Sequence, residues 1–418
     1  PERLTRGTAY GYQGAPAKAT DWPAFRHDSK RSGSTPATVD GALEITWQKQ
    51  IGRLPTAPTA AEGLLFFGDG KGSAVTALRQ DTGAVAWQFL TGGPVDSPPT
   101  YHKGTVIFGA SDGRVYCLKA ETGELVWQFL AAHTTRQMCA LGKFESANPV
   151  HGSVTIRDGI VYCAAGRSSF MDGGIQLYAL DAATGEVSSH NTLTGPYTDF
   201  NTYTGGREGL PQGARTDVML ATDDGFYMLG SAYNWDLQPT KVVSRPPFIT
   251  QSGLLDGNYF KRTHWNFPGG YASVLTFDDT SIYSFRMFDS NRALTSEVYF
   301  TPGTKGYALL KYERRPRNNH KVWETRVPLR APATLSTPNR IFLGGIPDVV
   351  PEEDPYAAFH GTLGGDLYVV NAADGTVEQK LKIAGEPVFN GMAATPGRLF
   401  LALRTGTVVG LTSKGSMP

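Results

Sequence analysis

Apolar positions along this chain fall in short runs separated by two or three polar residues or glycines, with no sustained three-to-four spacing of an amphipathic helix. Residues 99–102, 105–109, 114–119 and 124–130 make one such set, rich in β-branched and aromatic side chains. The breaks between them are Lys103-Gly104, Ser111-Asp112-Gly113 and Glu121-Thr122-Gly123, all turn-forming sequences. The pattern predicts four short strands joined by tight turns. It then recurs: Trp47-Gln48, Trp87-Gln88 and Trp127-Gln128 stand 40 residues apart. The stretch Asp81-Thr82-Gly83-Ala84-Val85-Ala86-Trp87-Gln88-Phe89-Leu90 matches Glu121-Thr122-Gly123-Glu124-Leu125-Val126-Trp127-Gln128-Phe129-Leu130. Weaker copies lie at 181–187, 322–324 and 371–377.

Four-stranded units of about 40 residues predict an all-β fold, a β-propeller of four-stranded blades. Seven blades fit best, near residues 55–90, 95–130, 147–190, 214–250, 252–328, 331–384 and 389–412; six or eight also fit, because the fourth and fifth are poorly defined. The last unit supplies only three strands. The strand around Trp47 has no blade of its own, and as the outer strand of the last blade it would close the ring and remove two open edges. Residues 1–40 form an N-terminal segment expected to pack across a face or the rim, and residues 41–418 form the propeller domain.

Composition agrees with this reading. The chain of 418 residues carries 49 glycines and 27 prolines, both poor in helix interiors, and only 18% charged residues. Net charge is +1, which gives no basic footprint for nucleic acid. No apolar run approaches the ~18 residues of a membrane-spanning helix. Cys117, Cys139 and Cys163 include no C-x-x-C motif, so zinc ribbons, thioredoxin-type motifs and attached c-type haem are not expected.

The repeat resembles the PQQ-like propeller repeat, whose mark is a D-x-x-T-G-x-x-x-W turn and strand; Asp81 to Trp87 and Glu121 to Trp127 carry a version shortened before the Thr-Gly. The resemblance covers most of residues 40–412. It implies a fold rather than an activity, since such repeats occur in quinoprotein alcohol dehydrogenases, BamB-type outer-membrane assembly lipoproteins and secreted bacterial multidomain proteins. Asp21-Trp22-Pro23-Ala24-Phe25-Arg26-His27-Asp28, Glu145 to Ser153 and Gly166-Arg167-Ser168-Ser169 with Asp172-Gly173-Gly174 resemble segments of the secreted group. That resemblance implies a periplasmic or extracellular protein, one propeller domain of a longer chain. The dehydrogenases carry an adjacent Cys-Cys pair over their quinone, which this chain lacks, so PQQ is not the expected cofactor. The cofactor stays open, a divalent metal ion among the candidates.

Chemistry is expected on one face. In a four-stranded blade the first-to-second and third-to-fourth turns share a face, and the remaining loops lie on the other, around the channel mouth. The long insertions fall on that second face, at 131–147, 166–174, 192–213 and 344–365. They bring together Arg136, Glu145, His151, Arg167, Asp172 and His360. His151 is a candidate general base or metal ligand, or a histidine bonded into the channel wall. Arg167 is a candidate carboxylate fork, or a salt-bridge partner of Asp172 or Glu145. Arg262, His264 and Trp265 could form a sugar-binding wall, or Trp265 could pack in the core. A four-histidine metal site from His27, His151, His264 and His360 is conceivable. Three functions fit: binding, with β-elimination by His151, Arg167 and His264 as its catalytic form, of an anionic glycan or other small ligand; a non-catalytic protein-interaction scaffold; and quinone-dependent oxidation.

Overall fold

The inner strands of the molecule repeat one device. Thr59 Oγ1 donates to Pro99 O at 2.9 Å, Thr100 Oγ1 to Val154 O at 3.1 Å, and Thr155 Oγ1 to Met219 O at 3.2 Å. Each threonine thus stitches the first strand of one antiparallel sheet to the next sheet. The computed structural model describes residues 2–140, 142–151, 153–195, 213–229, 231–240, 249–250, 254, 265–287, 307–315 and 318–414. Within them the sheets, numbered here in chain order, are Thr59–Ala61 to Val85–Leu90, Thr100–His102 to Leu125–Leu130, Thr155–Arg157 to Val187–Leu193, Leu220–Ala221 to Ser231–Asn234, Val274–Phe277 to His320–Arg326, Leu329–Ser336 to Val377–Ile383, and Pro387–Thr395 to Thr407–Ser413.

Six of these have four blade strands, and the fourth shows three among the described residues. The hairpin Gln137–Ala140/Lys143–Ser146 and the small sheet Ile249–Thr250, Trp265–Phe267 and Gly270–Ala272 stand outside this numbering. The fold is a β-propeller of four-stranded blades. Seven as the number of blades remains a reading of the sequence.

The seventh sheet is completed by Leu43–Gln50, paired antiparallel to Thr407–Ser413 with Leu43 opposite Ser413 and Gln50 opposite Thr407. The second sheet gains a fifth, outermost strand, Leu4–Arg6, with Leu4 opposite Phe129 and Arg6 opposite Trp127.

The tryptophan repeat now has its physical reason. Trp47 Nε1 donates to Gln80 O, Trp87 Nε1 to Ala120 O, Trp127 Nε1 to Ala182 O and Trp323 Nε1 to Ala372 O, at 2.8–3.3 Å. Each indole lies on the Thr-Gly or Asp-Gly turn of the following sheet. Gly83, Gly123, Gly185 and Gly375 there have positive φ, and a Cβ on any of them would strike the ring at 2.4–2.7 Å. The motif is an interlock between blades: the tryptophan needs the glycine of its neighbour.

The N-terminal segment takes both expected kinds of position: Leu4–Arg6 lies at the outer edge of the second sheet, and residues 21–35 lie across one face at the hub. Trp22 pairs with Ala60 of the first sheet, and Pro23 O accepts from Tyr101 N of the second. Arg31 reaches Thr155 of the third and Met219 O beside the fourth. Ser32 O accepts from Phe277 N of the fifth, Gly33 O from Ser336 N of the sixth, and Arg26 reaches Asn390 of the seventh. Trp22, Phe25, Arg26 and Arg31 are buried. Sequence pattern could not place this segment, because its pairing partners are single bridges spread over all seven sheets.

Candidate functional site

The hub plug sits at the turn end of the ring, since its partners Ala60, Tyr101, Thr155, Phe277 and Ser336 stand at or near the ends of first strands, by the first-to-second turns. Two cavities flank it there, of about 770 and 350 Å³, and His27, Asp28 and Ser29 line both. His27 therefore lies on the turn face. Among the described residues no contact joins it to His151, which is bonded to Asp96. A metal site joining the two is not formed. Among the described residues no three His, Cys, Asp or Glu side chains converge to hold a metal ion.

The loop face carries the candidate cluster. His151 Nδ1 is bonded to the Asp96 carboxylate, and its Nε2 makes no hydrogen bond among the described residues. Burial works to lower the imidazole pKa, but the charge and hydrogen bond of Asp96, with help from Glu145 and against Arg167, raise it above its ordinary value. The sequence reading missed Asp96. The signal was there: Pro94-Val95-Asp96-Ser97 occupies the repeat position of Pro149-Val150-His151, so both side chains enter from equivalent loops.

Arg167 resolves to the salt-bridge alternative. Its Nη2 lies 2.7 Å from Glu145 Oε1, and its Nη1 donates to Ala147 O at 2.8 Å. The guanidinium fork is thus spent inside the protein. Arg136 pairs with Asp172, whose carbonyl also accepts from Asn148 Nδ2 at 2.9 Å. Arg136, Glu145, His151, Arg167 and Asp172 are therefore brought into one region, where all but His151 Nε2 and part of Arg136 serve to anchor the hairpin Gln137–Ser146 and the loop 166–174 to the blades.

The other candidates separate. His360 ends the short helix Ala357–His360 in the sixth-sheet loop, exposed, its ring 6.0 Å from that of Tyr356, and no contact joins it to His151. Trp265 is fully buried with Arg26 stacked over its ring at 4.9 Å, so it offers no face to a sugar; its apolar ring is core for the small sheet and the hub. Arg262 and His264 lie outside the described residues.

The pairing leaves apolar groups outermost. Twelve large apolar side chains are exposed among the described residues, and seven of them sit on loop-face insertions: Met138, Phe144, Phe170, Met171, Val349, Tyr356 and Leu363. Phe144 is 73% and Phe170 54% exposed. The hairpin register accounts for Phe144. Met138 and Glu145 share one side, where Glu145 holds Arg167, while Cys139 and Phe144 share the other and point away. The remaining five are valines and a leucine on outer strands.

Blades interlocked by tryptophan over Thr-Gly turns and closed by an N-terminal strand make this chain a β-propeller similar to those built from PQQ-like repeats. Residues 30–198 match the family model described as outer membrane protein assembly factor BamB. Among solved structures, quinohemoprotein alcohol dehydrogenase from Comamonas testosteroni is similar with 15% identity and a TM-score of 0.53, over 96% of this chain and 82% of that one. BamB from Moraxella catarrhalis matches with 13% identity and a TM-score of 0.39, over 90% of this chain and 100% of that one. At 15% identity the likeness to the dehydrogenase is one of fold. No curated protein matches the chain. The residues present do not fit a quinone held under a cysteine pair: Cys117 and Cys163 are buried with thiols pushed up to about 12 by burial, and Cys139 is exposed on the hairpin.

Proposed function

We propose that this chain is an exported, non-catalytic interaction scaffold that meets a protein partner through its loop face. The observation that carries it is the concentration of exposed Met, Phe and Tyr on the insertions of that face, beside cationic groups already neutralised within the protein. Contiguous exposed apolar surface on a soluble protein marks an interaction site, and Met, Phe and Tyr are the residues enriched at interface cores. The family match over residues 30–198 supports placement in the periplasm or at the outer membrane. The test is photo-crosslinking from position 144 in cells of the native host, with position 187 on an outer strand as control. A discrete adduct from 144, lost on Phe170→Ser and absent from 187, is expected. Equal yields at both positions would overturn the reading.

A second reading keeps the anionic-glycan site and rests on one observation, the unbonded Nε2 of His151 oriented by Asp96. A histidine held by a carboxylate in this way can accept a proton, as β-elimination of a uronate requires. Ultraviolet absorbance from new double bonds in a uronate polymer, abolished by His151→Ala, is its test; no absorbance change with the wild type excludes it.

A further inference from the structure

We propose that the turn end of the hub is a binding site for one specific peptide, the chain's own residues 21–35, and that occupancy by this plug locks the ring and leaves the loop face as the open end of the channel. Three observations carry this.

The first is reach. One short segment bonds to every one of the seven sheets, through Ala60, Tyr101, Thr155, Met219, Ala221, Leu275, Phe277, Ser336 and Asn390. Among the described residues the hairpin Gln137–Ser146 reaches only the first three sheets, through Gly70 and Arg167, whereas this segment reaches all seven.

The second is chemical selectivity. Arg31 is fully buried, and its Nε, Nη1 and Nη2 donate to Met219 O, Phe25 O and Thr155 Oγ1. Arg26 is also buried, donating to Arg31 O, Leu275 O and Asn390 Oδ1. Among the described residues neither guanidinium hydrogen-bonds a carboxylate. Burial drives both below the ordinary arginine range, Arg26 to about 9 and Arg31 to about 10, and the cost is met by oxygen acceptors arranged around planar forks. A lysine has one point of charge and cannot span these acceptors. The hub therefore reads arginine at two positions five residues apart.

The third is backbone shape. Arg26, His27 and Arg31 have φ of 56°, 77° and 58°, left-handed values that non-glycine residues seldom adopt. Three such residues within six persist only where the surroundings over-determine them, which is the mark of a segment moulded to its socket.

The proposal is tested on the full chain with a protease site inserted between Asp40 and Gly41, both exposed and before the strand that starts at Leu43. After cleavage, fragment 1–40 should co-elute with 41–418 at micromolar concentration, and the melting temperature should stay within a few degrees of the intact protein. A fluorescent peptide of residues 19–40 should exchange into the cleaved protein. Unlabelled wild-type peptide should compete, and Arg31→Lys peptide should compete at least tenfold less well. Leu4→Pro in the cleaved protein, which breaks only the strand on the second sheet, should leave the fragment bound. Loss of the fragment with the melting temperature of 41–418 unchanged would overturn the proposal. So would equal competition by the lysine peptide, or release by Leu4→Pro alone. Unfolding that accompanies release supports the lock. None of these outcomes bears on the loop face, so failure here is distinguishable from failure of the scaffold reading.

Discussion

Trp127→Ala should be among the most damaging single substitutions in the propeller, and the structure gives its size. The indole is fully buried between the second and third sheets and packs against Gly185 and Leu4. Truncating a buried tryptophan to alanine costs about 3–5 kcal/mol from lost transfer energy and the cavity left behind. Ala182 O also loses its donor at 3.1 Å, a net contribution of about 1 kcal/mol that Trp127→Phe would isolate. The repeat provides internal controls. Trp87 is nearly as buried, and Trp323 is partly exposed on a ring that lies on the same kind of turn. The expected order of loss is therefore Trp127, then Trp87, then Trp323. Equilibrium urea unfolding followed by far-ultraviolet circular dichroism measures it, and the slope checks that the unfolding unit is unchanged. A loss below about 1.5 kcal/mol for Trp127→Ala, or one no larger than for Trp323→Ala, would refute the interlock as the source of blade-to-blade stability.

Removing residues 405–418 deletes the strand Thr407–Ser413 that joins Leu43–Gln50 to the seventh sheet. Two unpaired edges result, so light scattering should show association; a monomer of unchanged heat stability would contradict closure there. His151 makes stability pH-dependent in a defined direction. Its folded pKa is raised, so its contribution is complete below the ordinary value of ~6.5 and fades as pH rises through the folded value. The stability gap between wild type and His151→Gln should thus be larger at pH 5.5 than at pH 8.5, and Asp96→Asn should flatten it; a gap that grows with pH would be inconsistent with the ion pair. Phe144→Ser and Phe170→Ser remove exposed apolar surface, so each should shift the unfolding free energy by less than about 0.5 kcal/mol while weakening partner capture. A large stability loss would place these rings in the core instead.

The 40-residue recurrence of Trp-Gln, the Thr-Gly turns and the short apolar runs determined the propeller and the boundaries of most blades from sequence alone. They did so because each signal is local: a turn glycine and a strand period act within a few residues. Ring closure through the Trp47 strand was legible for a related reason, since an unmatched strand at one end faced a three-stranded blade at the other. The site was less legible. His151 was found from its place at the start of an inner strand, but its partner Asp96 lies 55 residues earlier, and only the juxtaposition of blades makes them a pair. Arg167 read equally well as a carboxylate fork or as a salt-bridge partner of Asp172 or Glu145, and side-chain geometry decided for the bridge to Glu145. Trp265 read equally as a stacking face or as core, and its burial under Arg26 decided for core. The plug was the least predictable element. Its residues carry no strand period, and its stability comes from single hydrogen bonds to seven sheets that meet only when the ring has closed.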